Sequence, residues 1–209
     1  MKLVLVGSTG LVGREVLKLA LADPRISRVV APVRRALVAH PKLQAPLVDF
    51  DILPETVDWW QADAVICTLG TTMRSAGSRD AFRRVDLEYP MHVARLAKRH
   101  GTSAYVLNSA IGANPTSRFF YNRVKGELEM HLAGLGFDSL TYVRPGVIGG
   151  QRDELRLGEC ALVCALGLTG RLLPARWRLN PASRIARALL ESALERAPGI
   201  HVISSERCI

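Results

Sequence analysis

Lys2-Leu3-Val4-Leu5-Val6-Gly7-Ser8-Thr9-Gly10-Leu11-Val12-Gly13 is the stretch that decides the fold of this chain. The first five residues read as a buried strand, and Leu11-Val12 with Val16-Leu17 fall on one face of a helix. Gly7 permits a tight turn between them, Gly10 carries no side chain that would hold an anion away, and Gly13 lets the helix close on the strand. Thr9 and the free N–H groups at Leu11, Val12 and Gly13 then meet whatever lies at the helix start, where the dipole favours negative charge. A glycine triplet alone is a common loop. Its place between a strand and a helix, with a second apolar run near Val29, points to a dinucleotide's pyrophosphate.

Working outward, apolar runs at 2–6, 28–33, 46–50, 63–68, 103–108 and 139–143, with a short late one at 200–204, alternate with helical periodicities at 11–22, 79–100 and 117–135. Ser78 is placed to cap the second helix, and Gly101 and Gly136 to stop the second and third. Ala64-Val65-Ile66-Cys67 is apolar on both faces, as a parallel strand covered on both sides must be. Right-handed crossovers make this an α/β fold, a doubly wound parallel sheet with its ligand crevice at the strand C-termini. Residues 145–182 break the alternation with Gly146, Gly149-Gly150, an apolar helix around 158–168, Pro174 and Pro181. They are expected to form a small C-terminal substrate cap inside a single domain, 1–209, ahead of a last helix at 182–196.

The 209 residues are 48% hydrophobic, enough for one sizeable core. The net charge of +9 raises nucleic acid as a partner. Yet Arg14, Arg34, Arg35, Arg83, Arg84, Arg123, Arg171 and Arg187 are scattered and mostly interleaved with acids, with no basic run carrying stacking aromatics, so nucleic acid is not expected. Cys67, Cys160, Cys164 and Cys208 form no CxxC pair or histidine-containing metal set; buried thiols and no metal are expected. A first strand at residue 2 leaves no room for a signal or transit peptide, and the longest apolar segment, 160–168, is too short to span a bilayer. A cytoplasmic protein is the resulting expectation.

Strand two ends in Pro32-Val33-Arg34-Arg35, about twenty residues beyond the glycine turn. An NAD site places an acid there for the ribose 2′-hydroxyl, whereas Arg34 and Arg35 suit the 2′-phosphate of NADP; the plain alternative is two surface arginines. Asp49-Phe50 stands either against adenine or in an ordinary turn. Tyr121 and Lys125 sit four apart, one above the other on the helix after Ser109. An ammonium so close favours phenolate, which lets a tyrosine exchange protons near neutral pH. Ser109, at the end of strand five, is placed to hydrogen-bond the same substrate oxygen.

Cys67-Thr68-Leu69-Gly70-Thr71-Thr72, Tyr121-Asn122-Arg123-Val124-Lys125-Gly126-Glu127 and Val143-Arg144-Pro145-Gly146-Val147, together with the GxxGxxG fingerprint, resemble the atypical short-chain dehydrogenase/reductases, and within them the Tat-interacting-protein branch. The similarity runs from the first strand to about residue 196. It implies a Rossmann-type sheet binding NADP(H) in preference to NAD(H), with Ser109, Tyr121 and Lys125 as the active triad. Tyr121 would be the acid/base, Lys125 would hold the nicotinamide ribose, and Ser109 would polarise the carbonyl. Leu69-Gly70-Thr71-Thr72 would run along the cofactor and Pro145-Gly146-Val147 would lie near the nicotinamide. The chain departs from many relatives in two places: Asp86 where they carry an asparagine that holds a relay water, and Ala110 where a second serine is frequent.

The expected function is therefore an NADP(H)-dependent oxidoreductase acting on a small carbonyl or alcohol. The alternative is an NADPH-binding regulatory protein with little turnover, its partner contacting Leu162, Leu166 and Leu168. A homodimer would pair the helices at 79–100 and 117–135. Arg144, Arg176 and Arg178 either face an anionic substrate or form structural ion pairs, and Trp59-Trp60 reads as core.

Overall fold

β1 (Lys2–Val6) is buried from Leu3 onward and passes through Gly7, at φ +87°, into α1 (Leu11–Ala22). The computed structural model describes residues 1–149 and 179–208. The cap helix expected at 158–168, with Cys160, Cys164, Arg176 and Arg178, lies outside the described residues.

Beyond α1 the chain forms β2 (Arg28–Val30), β3 (Leu43–Gln44) and β4 (Ala64–Cys67). Next come α2 (Met73–Ala76), α3 (Arg79–Arg83), a π-helical segment (Arg84–Glu88) and α4 (Tyr89–Arg99). β5 (Ala104–Asn108), α5 (Phe120–Ala133) and β6 (Ser139–Arg144) follow. The short pair β7 (Ile148–Gly149) and β8 (Asn180–Pro181) then leads to α6 (Ala182–Glu195) and β9 (Gly199–Ser204).

The main sheet has the order β3-β2-β1-β4-β5-β6-β9, and every pairing in it is parallel. This is the doubly wound, Rossmann-type arrangement, with its order reversing between β1 and β4. Side chains alternate across it. Val4, Val6, Val65, Tyr105, Leu107 and Tyr142 pack under α3 to α5 with Trp60 and Phe82. Leu3, Leu5, Ile66, Val106 and Val143 pack under α1 and α6. Trp59 and Trp60 are core, and the Trp60 indole N–H donates to the Pro54 carbonyl at 2.7 Å.

Several of these expectations need correction. The strand placed at 28–33 ends at Val30, and the one placed at 46–50 lies earlier, at Leu43–Gln44, with only a single bridge between Val33 and Leu47 beyond. Pro32 and Pro46 explain it, since neither supplies the N–H that a continuous ladder needs. The helix expected at 79–100 is capped by the Ser78 hydroxyl as anticipated, but the five residues Arg84–Glu88 within it are π-helical. The third helix ends at Ala133, three residues before Gly136.

Candidate active site

β1 and β4 run in register, Val6 beside Cys67, so Gly7 and Thr68 emerge together where the strand order reverses. A side chain on Gly7 would lie 2.7 Å from the Thr68 carbonyl carbon, and one on Gly13 only 2.0 Å from the Gly7 oxygen. These two glycines serve packing: they seat α1 against the strand ends. Gly10 differs, because a Cβ there meets only the Gly7 oxygen, at 3.4 Å. Gly10 is also the N-cap of α1 and supplies no side-chain hydrogen bond to the helix. The first turn of α1 thus presents its N–H groups toward open space beside exposed Thr9 and Gly10. Among the described residues, the Ser8 hydroxyl and the Asn108 side-chain oxygen are buried without a hydrogen-bond partner. An uncapped helix start, a space that a Cβ would fill and polar atoms awaiting partners fit a bound dinucleotide.

Arg34 and Arg35 follow the Val33–Leu47 bridge at the same end of the sheet, and both are exposed. No acid pairs with either among the described residues. Asp49 is exposed and its carboxylate accepts the Asp51 N–H at 2.9 Å, closing a turn. Phe50 is buried in the core, with its ring centroid 5.7 Å from that of Tyr89.

Tyr121 is 40% exposed, with its ring edge-on to Phe82 at 5.8 Å. One turn further along α5, Lys125 is buried, its Nζ 2.7 Å from Asp86 Oδ1. The other Asp86 oxygen accepts the Thr71 N–H at 2.7 Å. Burial alone would lower the Lys125 pKa, but the charges of Asp86 and Tyr121 outweigh it and the net direction is upward. The loop Leu69-Gly70-Thr71-Thr72 is therefore anchored to this pair, and Thr72 goes on to cap α2. Gly126 follows Lys125 and allows α5 to touch the backbone of Asn114 and Pro115 directly.

Ser109 is buried, and its hydroxyl donates to Glu129 Oε1 at 2.5 Å. Glu129 lies eight residues beyond Tyr121 on α5, about 12 Å along the helix axis. Arg144 pairs with both oxygens of Glu129, and the Tyr142 hydroxyl donates to the Glu129 carbonyl at 2.7 Å. Arg144 thus takes the structural side of the alternative left open by the sequence. Beside Ser109, buried Ala110 offers no hydroxyl. The structure puts Tyr121 and Lys125 on adjacent turns of α5 and turns the hydroxyl proton of Ser109 toward Glu129.

Two residues of the site went unrecognised in the sequence. Glu129 shares with Lys125 the face of α5 that carries Val124, Leu128 and Leu132, a four-residue charged spacing that usually marks a solvated surface. Asn180 is fully buried: its side-chain oxygen accepts the Gly146 N–H at 2.6 Å, its amide donates to the Ser205 carbonyl, and its own N–H donates to the Val147 carbonyl. It fixes the Pro145-Gly146-Val147 turn, and no local sequence signal marks it.

No group of histidine, cysteine or acidic residues among the described residues is arranged to hold a metal, and none of their helices is long and apolar enough to cross a membrane.

No protein-family model matches the chain. Two of its relatives are the mitochondrial protein fmp52 of Aspergillus clavatus, 35% identical over 97% of this chain and 91% of that protein, and protein HTATIP2 of Rattus norvegicus, 36% identical over 93% and 82%. Similar solved structures include MoeE5 in complex with UDP-glucose and NAD, with a TM-score of 0.73 at 18% identity over 97% of this chain and 75% of that one. Another is WbmH of Bordetella bronchiseptica in complex with NAD+, with a TM-score of 0.71 at 17% identity over 98% and 75%. At such identities the structural likeness speaks for the fold. The expectation of a cytoplasmic location is corrected by the relatives, since those from three Aspergillus species and Coccidioides immitis are named mitochondrial. Neither an early first strand nor buried thiols separates one compartment from another.

Proposed function

The chain belongs to the atypical short-chain dehydrogenase/reductases, in the branch of HTATIP2 and fmp52, and from that premise we propose that it is an NADP(H)-dependent oxidoreductase acting on a small carbonyl or alcohol. One observation supports the reading: β1 and β4 in register bring the uncapped start of α1 beside the loop after β4, whose Thr71 is tied through Asp86 to Lys125, one turn from Tyr121. The N–H groups of Leu11, Val12 and Gly13 would hold the pyrophosphate, and Arg34 with Arg35 the 2′-phosphate. Leu69 to Thr72 and Pro145 to Val147 would line the nicotinamide half, with Lys125 on its ribose. The bound nicotinamide supplies or accepts a hydride. Tyr121 gives a proton to the substrate oxygen during reduction and takes it back during oxidation. Ser109 has a narrower part than the resemblance implies, because a hydroxyl that donates to Glu129 has no proton left for a carbonyl. The fungal relatives' names favour a mitochondrial location for this protein.

The test titrates NADPH and NADH side by side against wild type and Arg34→Glu. Loss of a charge-assisted phosphate contact, about 1.5–3 kcal/mol, lowers NADPH affinity roughly tenfold to a hundredfold and leaves NADH nearly unchanged. Equal affinities for the two nucleotides would remove the case for 2′-phosphate selection. With a substrate in hand, Tyr121→Phe costs on the order of 100-fold or more in kcat.

The diverted Ser109 hydroxyl, with Ala110 beside it, favours one second reading: NADPH is bound as a ligand that regulates a protein contact. Tight nucleotide binding with no consumption across a broad carbonyl panel selects that reading over the first.

A further inference from the structure

Asp86 occupies a place that packing alone does not require. It is fully buried on the π-helical segment between α3 and α4, a kind of insertion that recurs at functional sites. There it meets the one lysine on the buried face of α5, and its second oxygen holds the Thr71 N–H. A buried ion pair is weak evidence for stability, since apolar replacements of similar volume are often neutral or better. Gly70 lies over the pair: a Cβ there would sit 3.4 Å from Asp86 Oδ1 and 3.7 Å from Lys125 Nζ.

We propose that Asp86 is a positioning residue that offsets the charge of Lys125 and thereby sets the pH at which Tyr121 exchanges its proton. The assignment rests on the oxidoreductase reading for its purpose and on the ion pair for its substance. Lys125 and Tyr121 stand on the same face of α5, so a carboxylate in contact with the ammonium cancels much of the field that would otherwise favour phenolate. Among the described residues, the other titratable groups around the pair are Cys67 from β4 and, against it, Tyr105 from β5. Burial pushes the Cys67 thiol and the Tyr105 phenol up, which favours the neutral form of both.

The experiment follows phenolate absorbance in the full chain during an alkaline titration, with neither nucleotide nor substrate added. Four tyrosines are present. Burial and the bond to Asp51 push Tyr89 up to about 12, burial holds Tyr105 well above its ordinary value, and burial with Glu129 raises Tyr142. The phase lost in Tyr121→Phe identifies Tyr121. In Asp86→Asn this phase moves down by about one pH unit or more. The double variant Asp86→Asn/Lys125→Met leaves no charge unpaired and returns it to near the wild-type position. If the single variant does not fold, the double variant decides. A phase close to wild type supports the offset, and one raised by about a unit or more overturns it. An unmoved phase in folded Asp86→Asn, or no Tyr121-dependent phase ahead of the other tyrosines, also overturns it. The proposal can thus fail while turnover still depends on Tyr121, and it can survive the loss of that turnover.

Discussion

Gly13→Ala and Gly10→Ala separate the packing role of the glycine turn from its binding role. An alanine Cβ at position 13 would sit 2.0 Å from the Gly7 oxygen and 2.7 Å from Thr68 Oγ1. Carbon and carbonyl oxygen rest about 3.3 Å apart, so α1 must retreat from β1 by roughly 1.3 Å. That retreat opens the contact of Val12, Val16 and Ala20 with the sheet and with α6. Overpacking of this kind costs about 3 kcal/mol when the opposing atoms are backbone, and the helical preference of alanine over glycine returns about 1 kcal/mol. The net loss of about 2 kcal/mol lowers Tm by about 4–8 °C in a chain of this size. Gly10→Ala meets only ordinary contact and stays within about 0.5 kcal/mol of wild type. Its methyl group occupies the approach to the α1 N–H groups, so NADPH affinity falls about tenfold or more. Thermal melts without nucleotide, followed by fluorescence titration with NADPH, measure both. An undiminished Tm in Gly13→Ala, or wild-type NADPH affinity in Gly10→Ala, refutes this division of labour.

Two further outcomes follow from the polar clusters. Glu129→Ala strips Arg144 and Ser109 of their common partner; because the Arg144 side chain is about one-third exposed, the loss is about 2 kcal/mol rather than the larger cost of a fully buried pair, read as a Tm drop of about 4–8 °C. The folded-state pKa of Lys125 is raised above its ordinary 10.5, so the stabilisation it brings is complete below that pH and is lost as pH climbs through the folded value. Urea unfolding of wild type and Lys125→Met at rising pH should show the difference between them shrinking, and a constant difference would remove the ion pair as its source.

The doubly wound parallel class of the sheet was legible because its strands are apolar runs separated by helical periodicities, and the glycine turn because its spacing has one efficient use. Tyr121 and Lys125 were legible for the same reason: four residues on a helix fix their relative position. What escaped has physical causes. A π-helical segment changes hydrogen bonding from i→i+4 to i→i+5 without altering composition, so the burial of Asp86 left no mark in the residues around it. Glu129 was hidden because an acid buried by an arginine from another strand looks, in sequence, like any acid on a helix. The reach of Ser109 depends on that same long-range partner. Following hydrophobicity carried one strand past Pro32 and set the next beyond Pro46 instead of before it, although neither proline can donate to a ladder.

The clasp at Asn180 has a consequence for how this fold can change. β7 and β8 pair side by side, and one asparagine ties the turn after β6 to the residues that follow β9. The turn at Gly146 and the segment after β9 are therefore held by one side chain. Any change that removes the Asn180 side chain strips one partner from the Gly146 N–H and one from the Ser205 carbonyl at the same time, so two segments far apart in sequence give way together.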